Sequence, residues 1–116
     1  MIKSSQMTRQ HDINVDEAIN RYISRIKDIY GNSICQVVLF GSYARGEAGP
    51  ESDVDLMVIT TDMNWETEYQ LITMGYCLYP EMNVLLSVKV RTLDEFRQAG
   101  NTAFLREVKQ DGVVVG

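Results

Sequence analysis

With 116 residues, 45% of them hydrophobic, the chain is sized for one domain spanning 1–116, and it is too short for two independent cores. A formal charge of -5 and a pI near 4.7 argue against an affinity built on phosphate-backbone attraction, so no nucleic-acid groove is expected. Cys35 and Cys77 stand far apart with no CxxC and a single histidine in the chain, so neither a zinc site nor a secreted disulfide framework is indicated. Both cysteines are expected to be buried small hydrophobes.

Residues 1–12 are polar and aperiodic and read as a disordered lead-in, with His11 a solvated side chain inside it. No apolar stretch follows Lys3, and no apolar run anywhere approaches the roughly 18 residues of a spanning helix, so no membrane contact and a cytoplasmic location are expected. From Val15 the apolar positions Ala18, Ile19, Tyr22, Ile23, Ile26, Ile29 and Tyr30 recur at three and four. That spacing predicts one packing helix ending at Gly31-Asn32.

Ser33 to Phe40 (SICQVVLF) and Asp53 to Thr60 (DVDLMVIT) are β-branched and aromatic runs that predict two strands. From Asn64 to Tyr79, Trp65, Tyr69, Ile72, Tyr76 and Tyr79 fall at helical spacing, and Glu66 and Glu68 suit the first turn of such a helix. The aromatic stripe is expected to belong to the core. Met82 to Val90 (MNVLLSVKV) predicts a third strand, Asp94 to Phe96 a helical turn, and Thr102 to Gln110 a last helix before Gly112 and an apolar end. The expected fold is α+β, a small mixed β-sheet with helices packed on one face.

The chemistry concentrates between the first two strands, in GSYARGEAGPES followed by DVDL. A strand that ends at Gly41-Ser42 and turns directly into a helix leaves backbone N–H groups without partners, and glycine lets a phosphate approach them closely. Ser42 adds a hydroxyl donor. Arg45, one turn on, adds a guanidinium that can reach phosphate oxygens bidentately. Asp53 and Asp55 are two apart on a strand, so their carboxylates share a side, with Cα atoms roughly 6 to 7 Å apart. Val54, Leu56 and Val58 take the opposite parity and pack on helices.

Each feature alone has an ordinary explanation, since Gly-Ser also makes turns and Ser52-Asp53 can open a strand with local hydrogen bonds. Together they are harder to dismiss. Two aspartates heading an apolar strand repel one another unless a cation lies between them, and Mg²⁺ favours one or two carboxylates plus substrate phosphates.

Gly41-Ser42, Arg45-Gly46, Ser52-Asp53 and Asp55-Leu56 form the pattern GS-x-x-RG-x(5)-SD-x-DL. It resembles the signature of the nucleotidyltransferase superfamily that includes DNA polymerase β and kanamycin nucleotidyltransferase, and is most similar to the minimal single-domain members of bacteria and archaea. The resemblance extends over roughly 34–115. It implies transfer of a nucleoside monophosphate from an NTP, here ATP, to a hydroxyl of a protein or small-molecule acceptor, with pyrophosphate released and Mg²⁺ or Mn²⁺ required. On the matching positions, Gly41, Ser42, Arg45 and Ser52 would hold the nucleotide, and Asp53 and Asp55 would be the catalytic, metal-binding pair.

This family generally carries a third carboxylate on a later strand. In MNVLLSVKV the site-facing parity holds Asn83, Leu85, Ser87 and Lys89, with no acid, while Met82, Val84, Leu86, Val88 and Val90 form an apolar face. Glu81, just before the strand, is the nearest acid, and Ser87 and Lys89 are accessory candidates. The chain has no room for an acceptor-binding domain, so a second copy or a partner protein is expected to supply the acceptor. The resemblance also admits a non-catalytic alternative, an NTP- and metal-binding antitoxin paired with a helical HEPN-type toxin.

Overall fold

The computed structural model describes residues 10–49, 53–62, 64–77, 82–98 and 102–116, with the side chains of residues 10–13 left aside. Helix α1 (Gln10–Tyr30) leads through a 3-10 turn (Gly31–Ser33) into β1 (Ile34–Phe40), the five-residue helix α2 (Gly41–Arg45) and β2 (Val54–Thr60). Then follow α3 (Trp65–Tyr76), β3 (Leu86–Thr92), α4 (Leu93–Arg97), α5 (Ala103–Asp111) and β4 (Val113–Val114).

The sheet runs β3-β2-β1-β4 and is mixed, as expected. β1 is antiparallel to β2 and β4, whereas β3 is parallel to β2. Parallel neighbours require a crossover, and α3 supplies it. Caps set where the helices start: the Asn64 side chain accepts from Thr67 N at 2.9 Å, and the Thr102 hydroxyl accepts from Leu105 N at 3.2 Å. Thr92 and Glu95 form a reciprocal capping box at the head of α4.

Two buried clusters sandwich the sheet. On one face Val37, Leu39, Val54, Leu56, Val58, Leu86, Val88 and Val90 pack against Val15, Ala18, Ile19, Tyr22 and Ile26 of α1 and Leu71 of α3. The Tyr22 hydroxyl donates to the Leu71 carbonyl at 2.7 Å, tying α1 to α3, and burial pushes that phenol well above its ordinary pKa. Gly75 lets α3 lie close to the sheet, since a Cβ there would stand 2.9 Å from the Leu86 carbonyl oxygen. On the other face Val38, Phe40, Met57 and Ile59 meet Leu105 and Val108 of α5, with Leu93 and Phe96 of α4 alongside. Helices therefore cover both faces, not one, because the β1 and β2 runs are apolar on both parities.

Other expectations need correction. The first helix begins at Gln10, five residues before the periodic stretch, so residues 10–12 belong to it rather than to a lead-in; residues 1–9 lie outside the described residues. The third strand starts at Leu86 instead of Met82, and Asn83 just ahead of it takes a left-handed φ of 55°. Ile29, expected on the packing face of α1, is exposed. Cys35 is exposed at a register irregularity in β1, and Cys77 is exposed past the end of α3, so neither serves as a buried hydrophobe. The aromatics of the α3 stripe face solvent: Leu71 and Gly75 are what the helix buries, Ile72 packs partly against the core, Trp65, Tyr69 and Tyr76 project elsewhere, and Tyr79 lies outside the described residues.

Candidate active site

Strand pairing brings the two halves of the motif together. β1 and β2 are aligned so that Phe40 lies opposite Asp55, and the chain leaves β1 at the next residue. There Gly41 adopts φ +76°, and a Cβ on it would stand 2.3 Å from Asp55 Oδ2. Only glycine fits both the backbone angle and the space. The Gly-Ser corner is thereby held directly against a carboxylate fourteen residues further along the sequence. Ser42 follows, half-buried in the first turn of α2, and its carbonyl accepts from Glu47 N at 2.9 Å to close the helix.

Asp55 is half-buried and Asp53 exposed, on the parity opposite Val54, Leu56 and Val58. Burial raises the Asp55 pKa above the ordinary carboxylate value, the Asp53 charge raises it further, and Lys89 and Arg45 partly offset both. A carboxylate so placed is under-neutralised by the protein alone. A divalent cation is the kind of charge that the pair lacks, and the oxygens of Asp53 and Asp55 are the hard ligands it takes.

On the other side of β2, Asp55 is the register partner of Ser87, and Met57 that of Lys89. Ser87 and exposed Lys89 therefore lie on the aspartates' face of the sheet, as their parity predicts. No carboxylate of β3 joins them. Among the described residues, no group of three His, Cys, Asp or Glu side chains is placed to hold a metal. Ser52 and Glu81 lie outside the described residues.

Arg45, exposed at the end of α2, has partners within the protein. Its Nε donates to Glu47 Oε1 at 3.0 Å, and that hydrogen bond, aided by the charges of Asp111 and Glu107, holds its pKa above the usual arginine value. Those acids come from α5, which sequence spacing identified as a helix without indicating where it packs. Between α2 and α5 lies a cavity of about 140 Å³, lined by Phe40, Gly41, Arg45, Phe104, Glu107, Val108 and Asp111, with the Phe40 and Phe104 rings edge to face at 5.6 Å. The aromatic Phe104 one residue before buried Leu105 was the visible signal for that wall.

A four-stranded mixed sheet with helices and a Gly-Ser corner against Asp55 has the form of a nucleotidyltransferase-like fold. Residues 19–115 match the model of the family described as the nucleotidyltransferase domain, and the chain belongs to that family. It is 30% identical over 103 residues to a Methanocaldococcus jannaschii protein named "putative protein adenylyltransferase", covering 89% of this chain and 99% of that protein. A second protein of that organism with the same name is 31% identical over 104 residues, 89% and 100% of the two chains. The fold is similar to a crystal structure of a "putative nucleotidyltransferase" from Sulfolobus solfataricus, with TM-score 0.58, 18% identity, and coverage of 98% of this chain and 87% of the other. It is also similar, at TM-score 0.51 and 16% identity over 90% and 71% of the chains, to a structure described as tri-AMPylated Shewanella oneidensis HEPN toxin in complex with MNT antitoxin.

Proposed function

We propose that this nucleotidyltransferase transfers AMP from ATP to a hydroxyl of a partner protein, using a divalent cation held by Asp53 and Asp55. The observation that carries the reading is the contact of Gly41 with Asp55, which sets a phosphate-accessible backbone beside a carboxylate in need of a cation. A bound Mg²⁺ or Mn²⁺ would supply charge neutralisation and Lewis acidity at the phosphates. The chain's own groups do the positioning: the Gly41 corner and the Ser42 hydroxyl hold the phosphates of the leaving pyrophosphate, and Lys89 adds positive charge. The acceptor oxygen bonds to the α-phosphorus, the bond from that phosphorus to the pyrophosphate oxygen breaks, and the hydroxyl proton passes to solvent or to a base of the acceptor. The naming of two relatives as protein adenylyltransferases supports ATP as donor and a protein as acceptor.

A second reading is favoured by one observation, the serine and lysine on β3 where a third acid belongs. In it the chain binds NTP and metal without turnover, as the antitoxin of a helical HEPN-type partner, and likeness of fold to the toxin–antitoxin complex supports such a partner. Pyrophosphate release from ATP, with and without candidate partners, separates the two. The enzyme reading expects wild-type turnover that Asp53→Asn lowers by about 10³ or more. The binding reading expects none in the wild type and a gain only in Ser87→Asp. Wild-type turnover unaffected by Asp53→Asn contradicts both.

A further inference from the structure

The outer side of α3 is not explained by nucleotide chemistry. Helical positions advance by about 100° per residue, so Trp65, Tyr69 and Tyr76 project within about 40° of one another. They are 74%, 64% and 47% exposed. Isolated exposed apolar side chains are ordinary, but three aligned aromatics on one helix mark a contact surface. The helix cannot roll to bury them, because Gly75 is seated against the Leu86 carbonyl and Val88 and leaves no room for a larger face.

The charge on the helix itself is one-sided: Trp65–Tyr76 carries two acids, Glu66 and Glu68, and no Lys or Arg. Glu66 and Glu68 flank the stripe, about 80° to either side of its centre, and exposed Asp62 precedes it.

We propose that this face of α3 docks a basic amphipathic helix of another protein, whose apolar strip covers Trp65, Tyr69 and Tyr76 and whose Lys or Arg residues meet Asp62, Glu66 and Glu68. At these exposures three aromatics of about 150–250 Å² each offer roughly 280–460 Å², the apolar centre of an interface whose ~800 Å² per partner the flanking polar residues must complete. The charge selects the occupant. An anionic membrane or a nucleic acid is repelled, and the α3 of a second copy offers aromatics without a cation to answer the acids.

Trp65 is the chain's only tryptophan, so its emission reports docking directly and independently of ATP binding or turnover. The probe is a synthetic Leu/Lys amphipathic helix of about 18 residues, set against the same helix with Glu in place of Lys. The proposal expects a saturable blue shift with the Lys helix alone. The affinity should fall about tenfold in Tyr69→Ser/Tyr76→Ser and, at low salt, in Glu66→Gln/Glu68→Gln, with circular dichroism unchanged. The Glu→Gln variant keeps the size of both side chains and removes only their charge, so it separates lost docking from lost folding. No saturable shift, or equal binding of the Glu helix, overturns the proposal. Sedimentation showing a dimer that Tyr69→Ser disperses overturns it in favour of a second copy.

Discussion

The same two strands, β2 and β3, present very different faces. Towards α1 and α3 every position from Val54 to Val58 and from Leu86 to Val90 on that parity is apolar and buried. Towards α4 and α5, Asp53 just ahead of β2 and Asp55 within it come first, and the strand turns apolar only at Met57 and Ile59, where Leu105 and Val108 cover it. One face is closed along its length; the other is closed at one end and left polar at the other. The lesson is that the packed face and the closed half of the second face carry the stability, which frees the open half to hold charges that work against folding.

The comparison breaks first on the packed face. Leu56→Ala should cost about 2–5 kcal/mol in urea unfolding, since Leu56 is fully buried between α1, α3 and the sheet, yet ATP affinity per folded molecule should stay unchanged. A loss of affinity at full folding would show that the faces are coupled. On the open half the effect should reverse in kind. Gly41→Ala forces a side chain into Asp55 at a φ of +76° and should weaken ATP binding by about 100-fold, read by calorimetry, with a smaller loss of stability.

The smallest effect concerns Asp55 itself. Its folded-state pKa lies above the unfolded value of 3.8, so the folded state holds the proton longer. The resulting stability is full below 3.8 and is lost as pH rises through the folded-state value. Metal-free wild type should therefore lose stability over that range relative to Asp55→Asn, by at most about 1 kcal/mol once solvent screening of a half-exposed group is discounted. Thermal unfolding in chelator against pH reads the difference, and added Mg²⁺ should remove it in the wild type alone. An Asp55→Asn variant less stable than wild type at neutral pH would mean that the carboxylate is already satisfied by the protein.

Much of this was legible in the sequence, and for definite reasons. The parity of DVDL placed the aspartates opposite Val54 and Leu56, and the parity of LSVK placed Ser87 and Lys89 beside them, because a period of two leaves little freedom once one face is apolar. What could not be read was anything decided by packing between distant segments. Trp65, Tyr69 and Tyr76 share a helical period with core residues, but Gly75, which carries no apolar signal, decides which side of α3 meets the sheet. The same limit applies to Arg45, whose partners Glu47, Glu107 and Asp111 are gathered only when α5 folds over β1. The Gly41–Asp55 contact depends on a strand register that neither segment encodes alone.

The central claim is that Asp53 and Asp55, beneath the Gly41 corner, form a site for a nucleoside triphosphate with a divalent cation. Isothermal titration of ATP into the wild type and Asp55→Asn, each with Mg²⁺ and with excess chelator, tests it most directly. Carboxylates and triphosphate repel each other without the cation, so the account predicts binding by the wild type in Mg²⁺, loss of that binding in chelator, and little binding by the variant in Mg²⁺. Equal affinity of the wild type in Mg²⁺ and in chelator, or of wild type and variant in Mg²⁺, would contradict it.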